Sequence, residues 1–197
     1  SAMAPWGGNK PSFGTNPLAF GCPCDDCPEG YPIVIDMSLS RVARGKIMNA
    51  KQKGENSIPE GWALDENGAP TTDPERALKG TMVPLGEAKG AALALMVEIL
   101  SASLTNSNHA FEASSFFTAE GPAPGIGQTF ILISPDFVNP DFSSTLGRLV
   151  QHILSQPGTR LPGARRFALR AKRREEGLEL PDTLYEKIKI GIPEKKA

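Results

Sequence analysis

The reactive side chains in this sequence are few, and their spacing limits the chemistry they can do. Two histidines, His109 and His152, and three cysteines, Cys22, Cys24 and Cys27, occur in 197 residues. The cysteines fall in C-x-C-x-x-C spacing, which suits zinc thiolates. A closed zinc site wants a fourth ligand, however, and only Asp25 or Asp26 stands near. The expectation is no metal and a loop of reduced thiols. His152 falls inside an amphipathic helical pattern, where a structural role outweighs a general base, and His109 falls in a loop. Asp36 closes the β-branched run Tyr31-Pro32-Ile33-Val34-Ile35-Asp36-Met37. Ligands meet sheets at strand ends, so its carboxylate is placed to accept hydrogen bonds from a ribose; turn capping is the alternative. Lys89 opens a helical stretch beside Gly90-Ala91-Ala92, where an ammonium and a helix N-terminus together suit a phosphate; a solvated lysine is the alternative. Arg44 and Lys46 form a basic pair that can hold a carboxylate, or else make up a solvated helix face.

The elements that position these groups are short, because 20 glycines and 18 prolines punctuate the chain. Residues 18–20 and 31–37 read as two strands joined by a polar loop, which suggests an antiparallel pair. Ser40 is placed to cap a helix through Lys53 with Val42, Ile47 and Ala50 inward. Trp62-Ala63-Leu64 leads into a turn signalled by Asn67-Gly68. Asp73 and Pro74 start a short helix that Gly80 ends. Residues 86–105 read as the longest helix, apolar enough around its axis to be largely buried. Its Gly90-Ala91-Ala92 run permits close approach by another backbone. Residues 128–134 read as a core strand, residues 142–156 as an amphipathic helix, and residues 164–176 and 181–190 as two terminal helices. The fold class is α+β, with a partly antiparallel sheet followed by a helical segment.

Composition removes several functions. Net charge is −1 and charged residues make up 22%, so no overall basic excess argues for nucleic acid. Residues 160–174 carry seven basic and no acidic residues, a local patch that Glu175, Glu176 and Glu179 dilute. No apolar run is long enough for a membrane span. Few cysteines and no leader-like opening lead to a cytoplasmic expectation. The glycines nearest to a dinucleotide fingerprint, Gly121, Gly125 and Gly127, have the wrong spacing and precede a strand. No phosphate loop, H-E-x-x-H or G-x-S-x-G occurs.

Other segments carry a resemblance. Met3-Ala4-Pro5-Trp6-Gly7-Gly8, Phe13-Gly14-Thr15-Asn16-Pro17-Leu18-Ala19-Phe20, Ile35-Asp36-Met37-Ser38, Ile58-Pro59-Glu60-Gly61-Trp62-Ala63, Pro70-Thr71-Thr72-Asp73-Pro74, Lys89-Gly90 and Arg160-Leu161-Pro162-Gly163 occur in this order. Together they resemble the malate/L-lactate dehydrogenase family, whose cofactor domain is not of the Rossmann type. The resemblance implies a mainly antiparallel sheet flanked by helices. It implies an NAD(P)-binding domain over residues 1–158 and a helical segment over residues 159–197. It further implies hydride transfer between a nicotinamide and C2 of a small 2-hydroxy or 2-oxo acid of malate, lactate or 3-sulfolactate type. A homodimer is implied, without nucleic acid or membrane. The alternative is a catalytically inactive nucleotide-binding or interaction fragment.

Residue by residue, the resemblance implies cofactor contacts at Thr15, Asp36, Met37, Ser38, Lys89, Pro162 and Gly163. The cofactor is NAD or NADP, with NADP favoured through Arg165 or Arg166 on a 2′-phosphate. Some family members carry His-Gly-Asp where this chain has Arg44-Gly45-Lys46. Lysine cannot act in a proton relay as a carboxylate does, so the change argues against imino-acid reduction and fits a doubly anionic substrate. Gly86-Glu87-Ala88-Lys89 and Phe111-Glu112-Ala113-Ser114-Ser115-Phe116-Phe117 look closest to the sulfolactate branch. Family members also carry an N-terminal Ser-His-Gly motif, an arginine and a further histidine that this sequence does not contain. The expectation is a truncated chain that begins inside the native sequence and is inactive alone.

Overall fold

The computed structural model describes residues 2–116 and 121–191. Phe117, part of the branch motif, lies outside them. The chain forms two compact units, one of Ser1–Phe20 with Ile35–Val138 and one of Gly21–Val34 with Asn139–Ala197. The chain passes between them along strands β1 (Leu18–Cys22) and β2 (Ile33–Met37), which pair in a two-stranded sheet.

The first unit is built on a three-stranded antiparallel sheet of β3 (Ala63–Leu64), β4 (Pro70–Thr71) and β5 (Thr81–Met82), with β3 central. Met3 bridges Met82 and Phe13, so the chain's start is woven into the core. Met3, Leu39, Ile47, Ala63, Met82 and Ala94 are buried together there. Helix α1 (Arg44–Gln52) buries Ile47 and Ala50 as its periodicity requires. Ser40 does not cap it. Its hydroxyl donates to the Val42 carbonyl at 2.7 Å while Ser40 bridges Pro84, and the helix starts four residues later at Arg44. A hydroxyl committed to its own turn has no role left at a helix end. Helix α2 (Pro74–Lys79) follows the sequence expectation: the Asp73 side chain accepts from Glu75 N and Arg76 N, Pro74 takes the first position and Gly80 ends the helix.

Asp65 holds the turn before β4. Its Oδ1 accepts from Asn67 N and Ala69 N, each at 2.9 Å, and Oδ2 accepts from Arg76 of α2. The Ala69 N–H, then Asn67, the Arg76 charge and Gly68 keep this carboxyl below the ordinary carboxylate range, against the burial that pushes it up. A carboxylate with a depressed folded pKa stabilises the fold above its unfolded pKa, about 3.9, and loses that contribution as pH falls through the lower folded value. Thermal denaturation should therefore show an acid limb below about pH 4, and Asp65→Asn should lower Tm at neutral pH and flatten that limb.

Thr81 carries a second testable feature. Its Oγ1 is fully buried and, among the described residues, has no hydrogen-bond partner. Leaving a hydroxyl unsatisfied costs about 1–3 kcal/mol, whereas a methyl of the same shape does not. Thr81→Val should raise stability by about 1 kcal/mol in urea titration.

Helix α3 (Ala88–Glu98), continued by a π-helical turn Ile99–Ser103, is not largely buried as its composition suggested. Its inward face is small: Gly90, Ala91, Ala94 and Ala102, with Glu98. Leu95, Met96, Ile99 and Leu104 are exposed. Ala94 packs into the core cluster with Met3, Leu39 and Ile47 and Gly90 lies against the Leu85 carbonyl, so the small side faces inward and the large residues turn outward.

Residues 128–134 are not a core strand. Phe130, Ile131, Leu132 and Ile133 are 72–90% exposed and carry no strand assignment. A β-branched run becomes a strand only beside another strand, and none pairs with it among the described residues. A short helix α4 (Pro135–Val138) follows.

In the second unit, helices α5 (Phe142–Leu154), α6 (Ala164–Glu176) and α7 (Asp182–Gly191) match the expected segments. Val150, Leu161, Cys24 and Cys27 form a small core backed by Ile33, Leu146 and Ile153. The expectation of reduced thiols is overturned. Cys24 and Cys27 are joined in a disulfide, and Cys22 is free and buried. A tight turn, Cys27 N to Cys24 O, folds the two residues back on each other. No helix among the described residues is long and apolar enough to cross a membrane.

Candidate functional site

In the first unit, one backbone seam collects three of the sequence-selected segments. Leu39 N donates to Thr15 O at 2.8 Å, and Leu85 N donates to Leu39 O at 2.8 Å. Thr15, the Asp36-Met37-Ser38 segment and the turn leading to Lys89 therefore lie along consecutive strands of chain. Asp36 is exposed at the end of β2, Met37 packs on the core, and Ser38 Oγ lies 3.2 Å from Ser40 Oγ. Lys89 is exposed in the first turn of α3. Glu87 is the N-cap of the helix, so its carboxylate stands beside the Lys89 ammonium at the helix end.

The turn before α3 is tightly fixed. Gly86 and Glu87 both take positive φ, 63° and 57°. A Cβ on Gly90 would overlap the Leu85 carbonyl oxygen and approach its carbonyl carbon to 2.8 Å. The close approach that the glycine-alanine run permits is thus made by the helix's own leading turn.

Asn16 and Glu98 were missed as a pair by sequence reasoning. Asn16 Nδ2 donates to Ala94 O and to Glu98 Oε2, both at 2.8 Å, and Glu98 Oε1 accepts from Ala110 N at 2.6 Å. Both side chains are buried. They fasten the residue after Thr15 to α3 and to the segment at residue 110. The only hint in the sequence was a glutamate inside an otherwise apolar helix.

Arg44 and Lys46 diverge. Arg44 Nη2 donates to the Leu78 carbonyl at 3.0 Å, closing the C-terminal end of α2, and burial pushes its pKa below the ordinary arginine value. Lys46 is exposed, its Nζ 6.0 Å from the centre of the Trp62 ring. His109 sits in a surface chain: Nε2 lies 3.0 Å from Ser103 Oγ and Nδ1 lies 3.0 Å from Glu112 Oε2. The His109 backbone N–H, then its side chain and charge, hold Glu112 below the usual carboxylate range. This ties the turn at residues 109–112 to the end of the π-helical segment. His152 is exposed on α5.

Pro162, Gly163, Arg165 and Arg166 lie in the second unit. Pro162 O accepts from Val34 N at 3.3 Å. Gly163 takes φ 92°, which strains any side chain, and a Cβ there would sit tightly, 3.2 Å from Phe167 and 3.3 Å from Val34. The left-handed backbone starts α6 with no side-chain cap and no acidic residue in its first turn. Beside it lies a cavity of about 260 Å³, walled by Tyr31, Leu154, Leu161, Pro162 and Phe167 and edged by Arg160. Tyr31 and Phe167 stack at 4.5 Å with their planes 4° apart. Arg165 and Arg166 are exposed in the first turn of α6. The cavity is mostly apolar, with Glu29 and Arg160 as its two charged lining residues; Arg165 and Arg166 lie outside its lining.

The fold is mixed α and β with small antiparallel sheets, and the sequence carries no Rossmann glycine loop. The malate/L-lactate dehydrogenase profile matches residues 1–189, and the chain belongs to that family. It is 53% identical over 189 residues to the (2R)-3-sulfolactate dehydrogenase (NADP(+)) of Chromohalobacter salexigens, covering 96% of this chain and 55% of that protein. It is 40% identical over 190 residues to the Delta(1)-pyrroline-2-carboxylate/Delta(1)-piperideine-2-carboxylate reductase of Pseudomonas aeruginosa, covering 94% of this chain and 55% of that protein. Among solved structures, the delta1-piperideine-2-carboxylate reductase of Pseudomonas syringae superposes with a TM-score of 0.83 at 36% identity, covering 94% of this chain and 55% of that one. The sulfolactate dehydrogenase of Methanocaldococcus jannaschii superposes with a TM-score of 0.72 at 30% identity, covering 94% and 54%. The chain spans about half the length of the curated relatives it matches.

Proposed function

We propose that this chain is the nucleotide-binding part of an NADP-dependent oxidoreductase acting on a small 2-oxo or 2-hydroxy acid, of the malate, lactate or 3-sulfolactate type. The observation that carries the reading is the 53% identity to an NADP-dependent sulfolactate dehydrogenase along 96% of the chain. When bound, the nicotinamide supplies or accepts the hydride exchanged with the acid's C2. The chain's own residues bind and orient the cofactor. Thr15, Asp36, Ser38 and Lys89 offer hydroxyl, carboxylate and ammonium groups to ribose and phosphate. Pro162 and Gly163 shape the backbone at the start of α6, and Arg165 and Arg166 offer cations to a 2′-phosphate. Lys46, exposed near α1's start, is available to a second anionic group on the substrate, whereas Arg44 is engaged at the end of α2.

Turnover in this reading needs the remaining length that the relatives possess. The outward Leu95, Met96 and Ile99 of α3 and the exposed residues 130–133 give such a segment apolar surface to cover. A homodimer acting in a soluble compartment, the cytoplasm, completes the proposal. The alternative is an inactive nucleotide-binding fragment. Single-turnover incubation with deuterated NADPH and sulfopyruvate separates the two. Deuterium should appear at C2 once a polypeptide covering the relatives' remaining length is added, and should be absent without it. No transfer in either mixture, by a chain that binds NADPH, would favour the inactive fragment.

A further inference from the structure

We propose that the Cys24–Cys27 disulfide is a redox switch that orders one wall of the cavity beside α6. Both cysteines are buried in the small core of the second unit, against Val150 and Leu161. Leu161 is followed directly by Pro162 and Gly163, so the core that holds the sulfurs also holds the start of α6. Apart from Leu154 of α5, the cavity is lined by two short segments: Cys27, Pro28, Glu29, Tyr31 and Pro32, and residues 159–162 with Ala164, Phe167 and Ala168. The first segment has little regular structure of its own, a single 3-10 turn at Pro28–Gly30 with Glu29 at φ 59°. Its position rests on side chains. Asp25 Oδ2 accepts from Ser143 Oγ at 2.6 Å, Asp26 packs on α5 where Gly147 leaves no room for a Cβ, and the disulfide closes the turn that carries both.

The two aspartates are exposed, whereas the disulfide is the buried fastening. Cys27 is among the residues lining the cavity, the side from which a small thiolate approaches the bond to attack Cys27 and displace Cys24. The exchange is balanced with a dithiol as reductant: the dithiol loses two electrons and two protons to become a cyclic disulfide, and Cys24 and Cys27 become thiols. Without the bond, only the contacts of the exposed Asp25 and Asp26 with α5 hold the segment, so it gains conformational freedom and the Tyr31 stack on Phe167 loosens with it. The wall then orders only on binding, and that ordering weakens the ligand. The ligand's identity as a nicotinamide nucleotide rests on the function proposed above; the ordering of the wall does not.

The test is hydrogen exchange on the full chain, oxidised and after dithiothreitol, with NADPH titrated into both forms. Reduction should speed exchange by about tenfold at residues 27–34 and 159–168 while α1 and α2 keep their protection. It should also lower Tm by about 4–8 °C and weaken NADPH about tenfold. Cys24→Ser should show the reduced pattern without dithiothreitol, and Cys22→Ser should still switch. If Cys24→Ser does not fold, the reduced native chain carries the comparison. Identical exchange at both segments in the two forms overturns the switch, whatever NADPH does. NADPH binding to neither form, with exchange shifted as described, sustains the switch and overturns the nucleotide reading instead.

Discussion

Gly90→Ala destabilises the chain by about 3 kcal/mol, a larger effect than an alanine in a helix would suggest. Alanine is the better helix former, worth about 1 kcal/mol over glycine in an open interior position. At Gly90 the sign reverses because the new methyl overlaps the Leu85 carbonyl. Relief would require Leu85 to retreat, and its N–H is bonded to Leu39 O, whose own N–H is bonded to Thr15 O. The turn cannot swing freely either, since Gly86 and Glu87 already hold positive φ. The strain therefore spreads to the segments that offer Thr15, Asp36 and Lys89. Gly45→Ala is the matched control. It lies in α1 with nothing within 4 Å of its Cβ, and it should gain about 0.5 kcal/mol. Urea denaturation of both variants decides the matter. Equal small gains in the two would mean that the Leu85–Gly90 contact is loose.

Replacing Arg165 and Arg166 together by alanine weakens NADPH binding by about 10–100-fold, the range set by charge-assisted hydrogen bonds of roughly 1.5–3 kcal/mol. NADH binding should fall no more than about threefold, because that cofactor has no 2′-phosphate for the guanidinium groups to meet. Both arginines are exposed on the first turn of α6, so the substitution removes charge without opening a core. Parallel NADPH and NADH titrations of the variant read the selectivity. An equal loss for both cofactors would assign the arginines to the shared pyrophosphate or to folding. No loss for either would move the phosphate-binding role to Arg160, which edges the cavity.

Local signals were legible wherever a short stretch decides its own structure. Asp73, Pro74 and Gly80 bound α2 as their chemistry dictates, and residues 164–176 form α6 over the range their periodicity marked. The family was legible from motif order, and with it the mixed fold and its antiparallel pairing. What failed depends on partners distant in sequence. Residues 128–134 have strand composition but no strand beside them, and the burial of α3 was inferred from its leucines when packing distance favoured its alanines. Ser40 had a helix-capping position and spent its hydroxyl on Val42 instead. The spacing of the three cysteines suggests zinc thiolates or reduced thiols, whereas a tight turn brings Cys24 and Cys27 together as one local pair. At the site, the side chains could be named from motifs, but the Asn16–Glu98–Ala110 fastening required three-dimensional proximity across more than 80 positions.

Saturable binding of a nicotinamide nucleotide by this chain is the most direct measurement to make. NADPH and NADH are titrated in parallel into folded protein, with nucleotide fluorescence as the signal and circular dichroism as the check on folding. Saturation by both, with NADPH the tighter, is the predicted result. A folded chain that leaves both titrations linear contradicts nucleotide binding by these residues.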